Sequence, residues 1–228
     1  MKSRVSIEPS ILSADFARLG QQAKEAEDAG AEGIQIDVMD GHFVPNLTFG
    51  PGVVKSLRRS VSLFLDAHLM IDNPSTFIGE FARAGSNRII VHQEACSNLP
   101  EVLQSIRDLN VEAGVALNPE TGVGAVENVL GIADCFQVMT VNPGFAGQKF
   151  MEDQLDKVRW LRRELDRRNL KASLVVDGGV DPKTAPLAAR AGANILVAGS
   201  SVYNQSGSVA ENVATLRKSI SSPVQQLV

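Results

Sequence analysis

Two aspartates stand at the carboxyl ends of apolar runs far apart in the chain: Asp37 follows Gly33-Ile34-Gln35-Ile36, and Asp177 follows Ser173-Leu174-Val175-Val176. A carboxylate inside a buried strand is costly unless it is paired or bound to a cation, so two such strand ends imply one shared site. Carboxylates converging from separate strands are what proton transfer on two faces of a substrate requires. His68 closes a third run, Phe64-Leu65-Asp66-Ala67-His68, and an imidazole beside two carboxylates matches the ligand set of Zn2+ or Fe2+. His92 ends a fourth run, and position alone does not separate it from His68. The ordinary role of a strand-end Asp is a cap or a turn. That role suits Asp40, beyond its run, better than Asp37 or Asp177.

Side chains alternate along a strand, so Gln35, Asp37 and Met39 share one face, as do Asp66, His68 and Met70. Met39, Met70 and Met139 all stand at strand ends, where methionine is either core filler or a soft apolar wall over a reactive site. The segment Val141-Asn142-Pro143-Gly144-Phe145-Ala146-Gly147-Gln148 is rich in turn formers. Gly144 and Gly147 there let backbone N–H groups come close to an anion. Gly178-Gly179 and Gly199-Ser200 follow the last two apolar runs, where barrels commonly hold a phosphate. Three glycine-bearing turns on adjacent strands point to a phosphorylated small molecule.

The elements that position these residues are legible from period. Short β-branched runs near 4–9, 33–38, 63–70, 87–92, 112–117, 134–141, 172–177 and 194–198 read as strands. Helical spacing lies near 15–30, 52–59, 75–84, 98–110, 122–131, 151–169, 182–191 and 208–219. Gly30, Gly85 and Gly192 supply C-terminal stops. Strand–helix alternation forces parallel pairing, and eight units close a (β/α)8 TIM barrel of the α/β class. An open doubly wound sheet is the alternative, but no GxGxxG follows the first strand. In a barrel, every chemistry-bearing strand end named above falls on one face.

The chain of 228 residues reads as a single TIM-barrel domain over 1–228, with 221–228 expected to be a tail without fixed structure. Its net charge is −4 and no run of Lys or Arg exceeds two residues, which argues against nucleic-acid and anionic-membrane partners. Cys96 and Cys135 form no CxxC and no disulfide framework, as expected in a reducing, cytoplasmic compartment. No apolar stretch approaches about 18 residues, and the start runs straight into a strand, so neither a membrane span nor a signal peptide is expected.

Taken together, Pro9-Ser10-Ile11-Leu12-Ser13-Ala14-Asp15, Asp37-Val38-Met39-Asp40-Gly41-His42-Phe43-Val44-Pro45-Asn46, His68-Leu69-Met70, Asn142 to Gln148, Val176-Asp177-Gly178-Gly179 and Val197-Ala198-Gly199-Ser200 resemble the ribulose-phosphate 3-epimerase family. The likeness runs in order from about residue 5 to about 218. It implies a ribulose-phosphate-binding TIM barrel that interconverts D-ribulose 5-phosphate and D-xylulose 5-phosphate in the pentose phosphate pathway. It also implies a phosphorylated ketose as substrate and one divalent metal ion, Zn2+ or Fe2+, as cofactor; a homo-oligomer is the expected assembly. Carried over residue by residue, Asp37 and Asp177 are the two acid/base groups, one on each face of substrate C3, and both bind the metal with His68. Ser10 and His68 contact substrate, Gly144, Phe145, Ala146, Gly147, Gly178, Gly179, Gly199 and Ser200 form the phosphate turns, and Met39, Met70 and Met139 cap the site. One carboxylate removes the C3 proton to give a cis-enediolate, and the other returns a proton to the opposite face.

One position departs from the family pattern. Where the family has a histidine two residues before the first aspartate, this chain has Gln35. Its amide oxygen is a weaker ligand than imidazole for Zn2+ or Fe2+, so lowered metal affinity, or a shift toward Mn2+ or Mg2+, is expected. Two alternatives stay open: a 3-epimerase of a hexulose phosphate such as allulose 6-phosphate, and a catalytically impaired sugar-phosphate binder. A decarboxylase of the orotidine-phosphate type is argued against, because Asp37-Val38-Met39-Asp40 lacks the lysine of a DxKxxD motif.

Overall fold

The computed structural model describes residues 4–221. Eight strands alternate with helices: β1 Ser6–Pro9, β2 Gly33–Met39, β3 Phe64–Met70, β4 Arg88–His92, β5 Glu112–Leu117, β6 Cys135–Met139, β7 Ser173–Asp177 and β8 Ile195–Ala198. Each pairs in parallel with its neighbour in the order β1-β8-β7-β6-β5-β4-β3-β2. Between β1 and β2 the ladder thins to one parallel bridge, Ser10 with Gln35, and a hydrogen bond from Glu32 N–H to the Ile7 carbonyl at 3.1 Å. The cylinder is thus nearly closed, and its weakest seam lies beside two polar residues of the site.

Outside the strands run α1 Leu19–Asp28, α2 Pro51–Ser60, α3 Ile78–Ala84, α4 Leu99–Arg107, α5 Leu155–Arg167, α6 Ala185–Ala191 and α7 Val209–Ser221. Their apolar stripes face the sheet; in α5, Leu155, Val158, Leu161 and Leu165 are the buried residues, at helical spacing. They meet the outward side chains of the strands, among them Ile34, Ile36 and Val38 of β2 and Leu65, Ala67 and Leu69 of β3, in one continuous core.

The helix expected at 122–131 is instead a 3-10 helix, Val123–Val129. Val123, Val126 and Val129 recur every third residue, a spacing that eclipses side chains in a 3-10 helix and drifts off one face of an α-helix. Gly124 within the segment also weakens the α alternative. The expected helix at 15–30 splits similarly: the Asp15 side chain caps a 3-10 turn over Phe16–Arg18, and α1 begins at Leu19. Ser221 ends α7 rather than opening a tail, and 222–228 lie outside the described residues.

Inside the cylinder the inward residues form layers. Arg88 is buried near the amino-terminal end with Asp66 at 2.9 Å, Glu112 at 3.1 Å and Glu8 at 3.6 Å. An apolar layer of Ile90, Ala116, Cys135, Val175, Ile195 and Val197 fills the middle. The chemistry sits above it, at the carboxyl ends.

Candidate active site

Parallel register places Asp37 of β2 directly beside His68 of β3, and Met139 of β6 beside Asp177 of β7. Both aspartates point inward and are almost wholly buried. His68 Nδ1 lies 2.8 Å from Asp37 Oδ1 and 3.5 Å from Asp177 Oδ2. Gln35 bridges the carboxylates: its Nε2 donates to Asp37 Oδ1 at 2.7 Å and to Asp177 Oδ2 at 2.8 Å. Ser10, from the end of β1, donates its hydroxyl to Asp37 Oδ2 and accepts from the Leu12 N–H at 3.2 Å. Five of the predicted residues therefore meet at one point, from β2, β3, β7 and the end of β1.

Two further residues of the site were not distinguished by sequence. Gln137 of β6, fully buried, donates to Asp177 Oδ2 at 2.9 Å and lies 3.2 and 3.3 Å from the two ring nitrogens of His68. The available signal was a polar residue alternating with Met139 inside the apolar run Cys135-Phe136-Gln137-Val138-Met139. His92 stands behind His68, Nε2 to Nε2 at 2.8 Å, with its Nδ1 3.3 Å from Glu94 Oε2. His68 is thus the ligand candidate, and His92 its support.

Burial and hydrogen bonding divide the titratable groups. Burial pushes the Asp177 carboxyl up to about 7, with the Asp37 charge adding to it and His68 opposing. Burial alone would lower His68, but the hydrogen bond and charge of Asp37, reinforced by Asp177 and Asp66, raise it above its ordinary value. His92 is lowered to about 4 by burial and by the neighbouring His68. Glu94, despite partial burial, is held down at about 2 by hydrogen bonds from His92, Thr121 and the Asn118 N–H. The two carboxyl groups thus favour the protonated form of His68, whereas burial disfavours that of His92 behind it.

Asp37, His68 and Asp177 each offer a ligand atom, and these atoms lie within 4.8 Å of one another. Two carboxylates and an imidazole at this spacing fit a divalent metal ion, so the cluster could hold one. Gln35 as it is turned presents N–H rather than oxygen to the carboxylates, and its Oε1 is buried without a hydrogen-bond partner.

Above the cluster opens a narrow cleft of about 60 Å³. Ser10, Asp37, Asp177 and the three methionines line its floor and wall; Gly144, Phe145, Ala146, Gly147, Gly178, Gly179, Gly199 and Ser200 line its rim. His68 does not line the cleft; it is fully buried beneath it. Gly178 and Gly179 have φ of +116° and +64°, and a Cβ on Gly179 would stand 2.8 Å from the Phe150 backbone nitrogen. Only glycine fits that turn without strain. Among the described residues no Lys or Arg lines the cleft; its polar lining offers an anion backbone N–H groups, the Ser13 and Ser200 hydroxyls and the Gln148 carboxamide.

The profile of the ribulose-phosphate 3 epimerase family matches residues 6–203, a span that includes all eight strands. The chain belongs to this family. It is 51% identical over 203 residues to the ribulose-phosphate 3-epimerase of Bacillus subtilis, covering 89% of this chain and 94% of that one. To the Rhodobacter capsulatus epimerase it is 47% identical over 219 residues, 93% and 94% of the two chains. Identity to the chloroplastic epimerase of Arabidopsis thaliana is 46% over 204 residues, 89% of this chain and 73% of the relative. Among solved structures, 3-keto-L-gulonate-6-phosphate decarboxylase from Vibrio cholerae superposes with a TM-score of 0.71 at 16% identity, covering 96% and 98% of the chains. At that identity the likeness shows the barrel and nothing of the reaction.

Proposed function

We propose that this chain epimerises D-ribulose 5-phosphate and D-xylulose 5-phosphate at C3, with Asp37 and Asp177 as the two acid/base groups. The observation that carries the reading is the convergence of carboxylates from β2 and β7 on one amide nitrogen, Gln35 Nε2, under a cleft rimmed by glycine turns. Inversion needs two proton-transfer groups on opposite faces, and positioned acid/base transfer contributes roughly 10² to 10⁴ in rate.

Asp37 is held by three side chains, Ser10, Gln35 and His68. Asp177, lifted to about 7, is suited to hold and deliver a proton near neutrality. With Asp177 as the acid that delivers a proton to one face, Asp37 is assigned as the base that takes the C3 proton from the other; the reverse reaction exchanges the roles. The methionines exclude water from the enediolate, and the turns of Gly144 to Gly147, Gly178-Gly179 and Gly199-Ser200 fix the phosphate. Ser10, bonded to Asp37, keeps the base aimed into the cleft.

Asp37, His68 and Asp177 would hold a divalent cation, with the Gln35 amide oxygen as a weaker further ligand. When bound, that ion supplies Lewis-acid stabilisation of the enediolate oxygens, worth several kcal/mol. Oxygen-rich ligation favours Mn2+ or Mg2+ over Zn2+ or Fe2+; stoichiometric zinc surviving chelator treatment would contradict this. The proposal includes a cytoplasmic location and self-association, to be checked by cell fractionation and light scattering. Its central test is deuterium uptake at C3 of ribulose 5-phosphate in D2O. Epimerisation without exchange would overturn it.

A further inference from the structure

Gln137 has no part in the reading above, yet its surroundings give it one. It reaches Asp177 from β6 as Gln35 does from β2, so two carboxamides flank the same carboxylate oxygen at 2.9 and 2.8 Å. The nitrogens are crowded with partners, whereas Oε1 of Gln35 and Oε1 of Gln137 are both buried with none. Native interiors leave few such atoms unsatisfied. The last torsion of a glutamine is broad and roughly two-fold, so a half-turn exchanges oxygen and nitrogen in place. Both oxygens would then stand where the nitrogens stand now, around Asp37, His68 and Asp177.

The separations indicate what such a set would take. Bonds of about 2.1 Å at right angles put neighbouring ligand atoms of an octahedral Mg2+-sized cation about 3 Å apart. Tetrahedral Zn2+ with ligands at about 2.0 to 2.1 Å needs about 3.3 Å. The two amide positions lie 2.7, 2.8 and 2.9 Å from the carboxylate oxygens, and His68 Nδ1 lies 2.8 Å from Asp37 Oδ1. Longer are Gln137 Nε2 to His68 Nδ1, at 3.2 Å, and His68 Nδ1 to Asp177 Oδ2, at 3.5 Å.

We propose that Gln35 and Gln137 form a turnable carboxamide pair, donors to the two carboxylates in the cation-free site and, once turned, side chains that would offer oxygen ligands to a Mn2+ or Mg2+ ion. Gln137 is a ligand on the same footing as Gln35.

The pair rests on the cation reading above, so the experiment separates the two. Mn2+ uptake is followed by loss of the free-ion EPR signal for the parent chain, Asp37→Asn, Gln137→Leu and Gln137→Glu. Asp37→Asn should abolish uptake, Gln137→Leu should weaken it about tenfold or more, and Gln137→Glu, which keeps an oxygen, should bind at least as tightly as the parent. Undiminished affinity in Gln137→Leu, with Asp37→Asn inert, overturns the pair and leaves the cation site standing. No uptake by the parent, or uptake indifferent to Asp37→Asn, overturns both. Should Gln137→Leu fail to fold, the side-chain NH2 resonances of Gln137 in the parent chain decide. They should shift on adding Mg2+, and signals that stay in place overturn the pair.

Discussion

His68 and His92 face one another through their Nε2 atoms at 2.8 Å, so a single proton lies between the rings and only one of them can be cationic. The raised His68 and the lowered His92 fit that constraint. With Glu94 behind it, His92 holds the His68 ring so that Nδ1 faces the carboxylates. His92→Phe, which keeps the volume and removes the acceptor, should lower Mn2+ affinity by about 10- to 100-fold and leave the fold intact. Calorimetric titration beside a thermal unfolding curve checks it.

Asp37→Asn and Asp177→Asn should each reduce turnover by roughly 10³ or more, since each removes one face of the proton transfer. They should differ in isotope behaviour. Asp177→Asn retains the base that lifts the C3 proton of ribulose 5-phosphate, so it should still exchange deuterium into that substrate without inverting it, whereas Asp37→Asn should not. NMR of recovered substrate separates the two outcomes, and identical behaviour would refute the assignment of faces.

At the opposite end of the barrel, burial lifts the Glu8 carboxyl from 4.5 to about 8; Arg88 opposes the shift and Asp66 adds to it. The folded chain keeps a proton there that the unfolded chain releases. Stability from this group is therefore complete below about pH 4.5 and is lost as pH rises through about 8. Glu8→Gln should remove that loss and gain about 2 to 4 kcal/mol at pH 8 relative to pH 5. Urea midpoints of parent and variant at the two pH values test it; parallel shifts would be evidence against it.

Gly179→Ala should raise KM by about tenfold or more, because φ of +64° and backbone atoms of Phe150 within 3.0 Å leave a methyl group no room. Gly147→Ala is the control: its φ is +75°, but nothing lies within 4 Å of the added carbon, so the cost there should be about 1 kcal/mol. Steady-state kinetics with competing inorganic phosphate distinguish a damaged turn from a general loss of fold.

The barrel and the principal triad were legible because strands buried on both faces tolerate few polar residues, and Asp37, His68 and Asp177 stood out at the ends of apolar runs. The crossover at Val123–Val129 was not, because valines three apart also pass for a loose helical pattern until the glycine beside them is weighed. Gln137 escaped notice because a mid-run glutamine resembles a polar residue on a half-exposed strand, and only the closed cylinder turns that position inward. The division of labour between His68 and His92 depends on rotamers, which period and spacing do not encode.

The neutral rim of the cleft has a kinetic consequence. A chain of net charge −4 whose cleft, among the described residues, is lined by neutral hydroxyls, a carboxamide and backbone dipoles but no Lys or Arg lacks a positive field at its mouth to steer a sugar phosphate inward. Encounter is slowed by mild repulsion, which added salt screens within a Debye length of about 8 Å at physiological strength. Capture should therefore quicken slightly in saline buffer, where an arginine-lined mouth would lose ground.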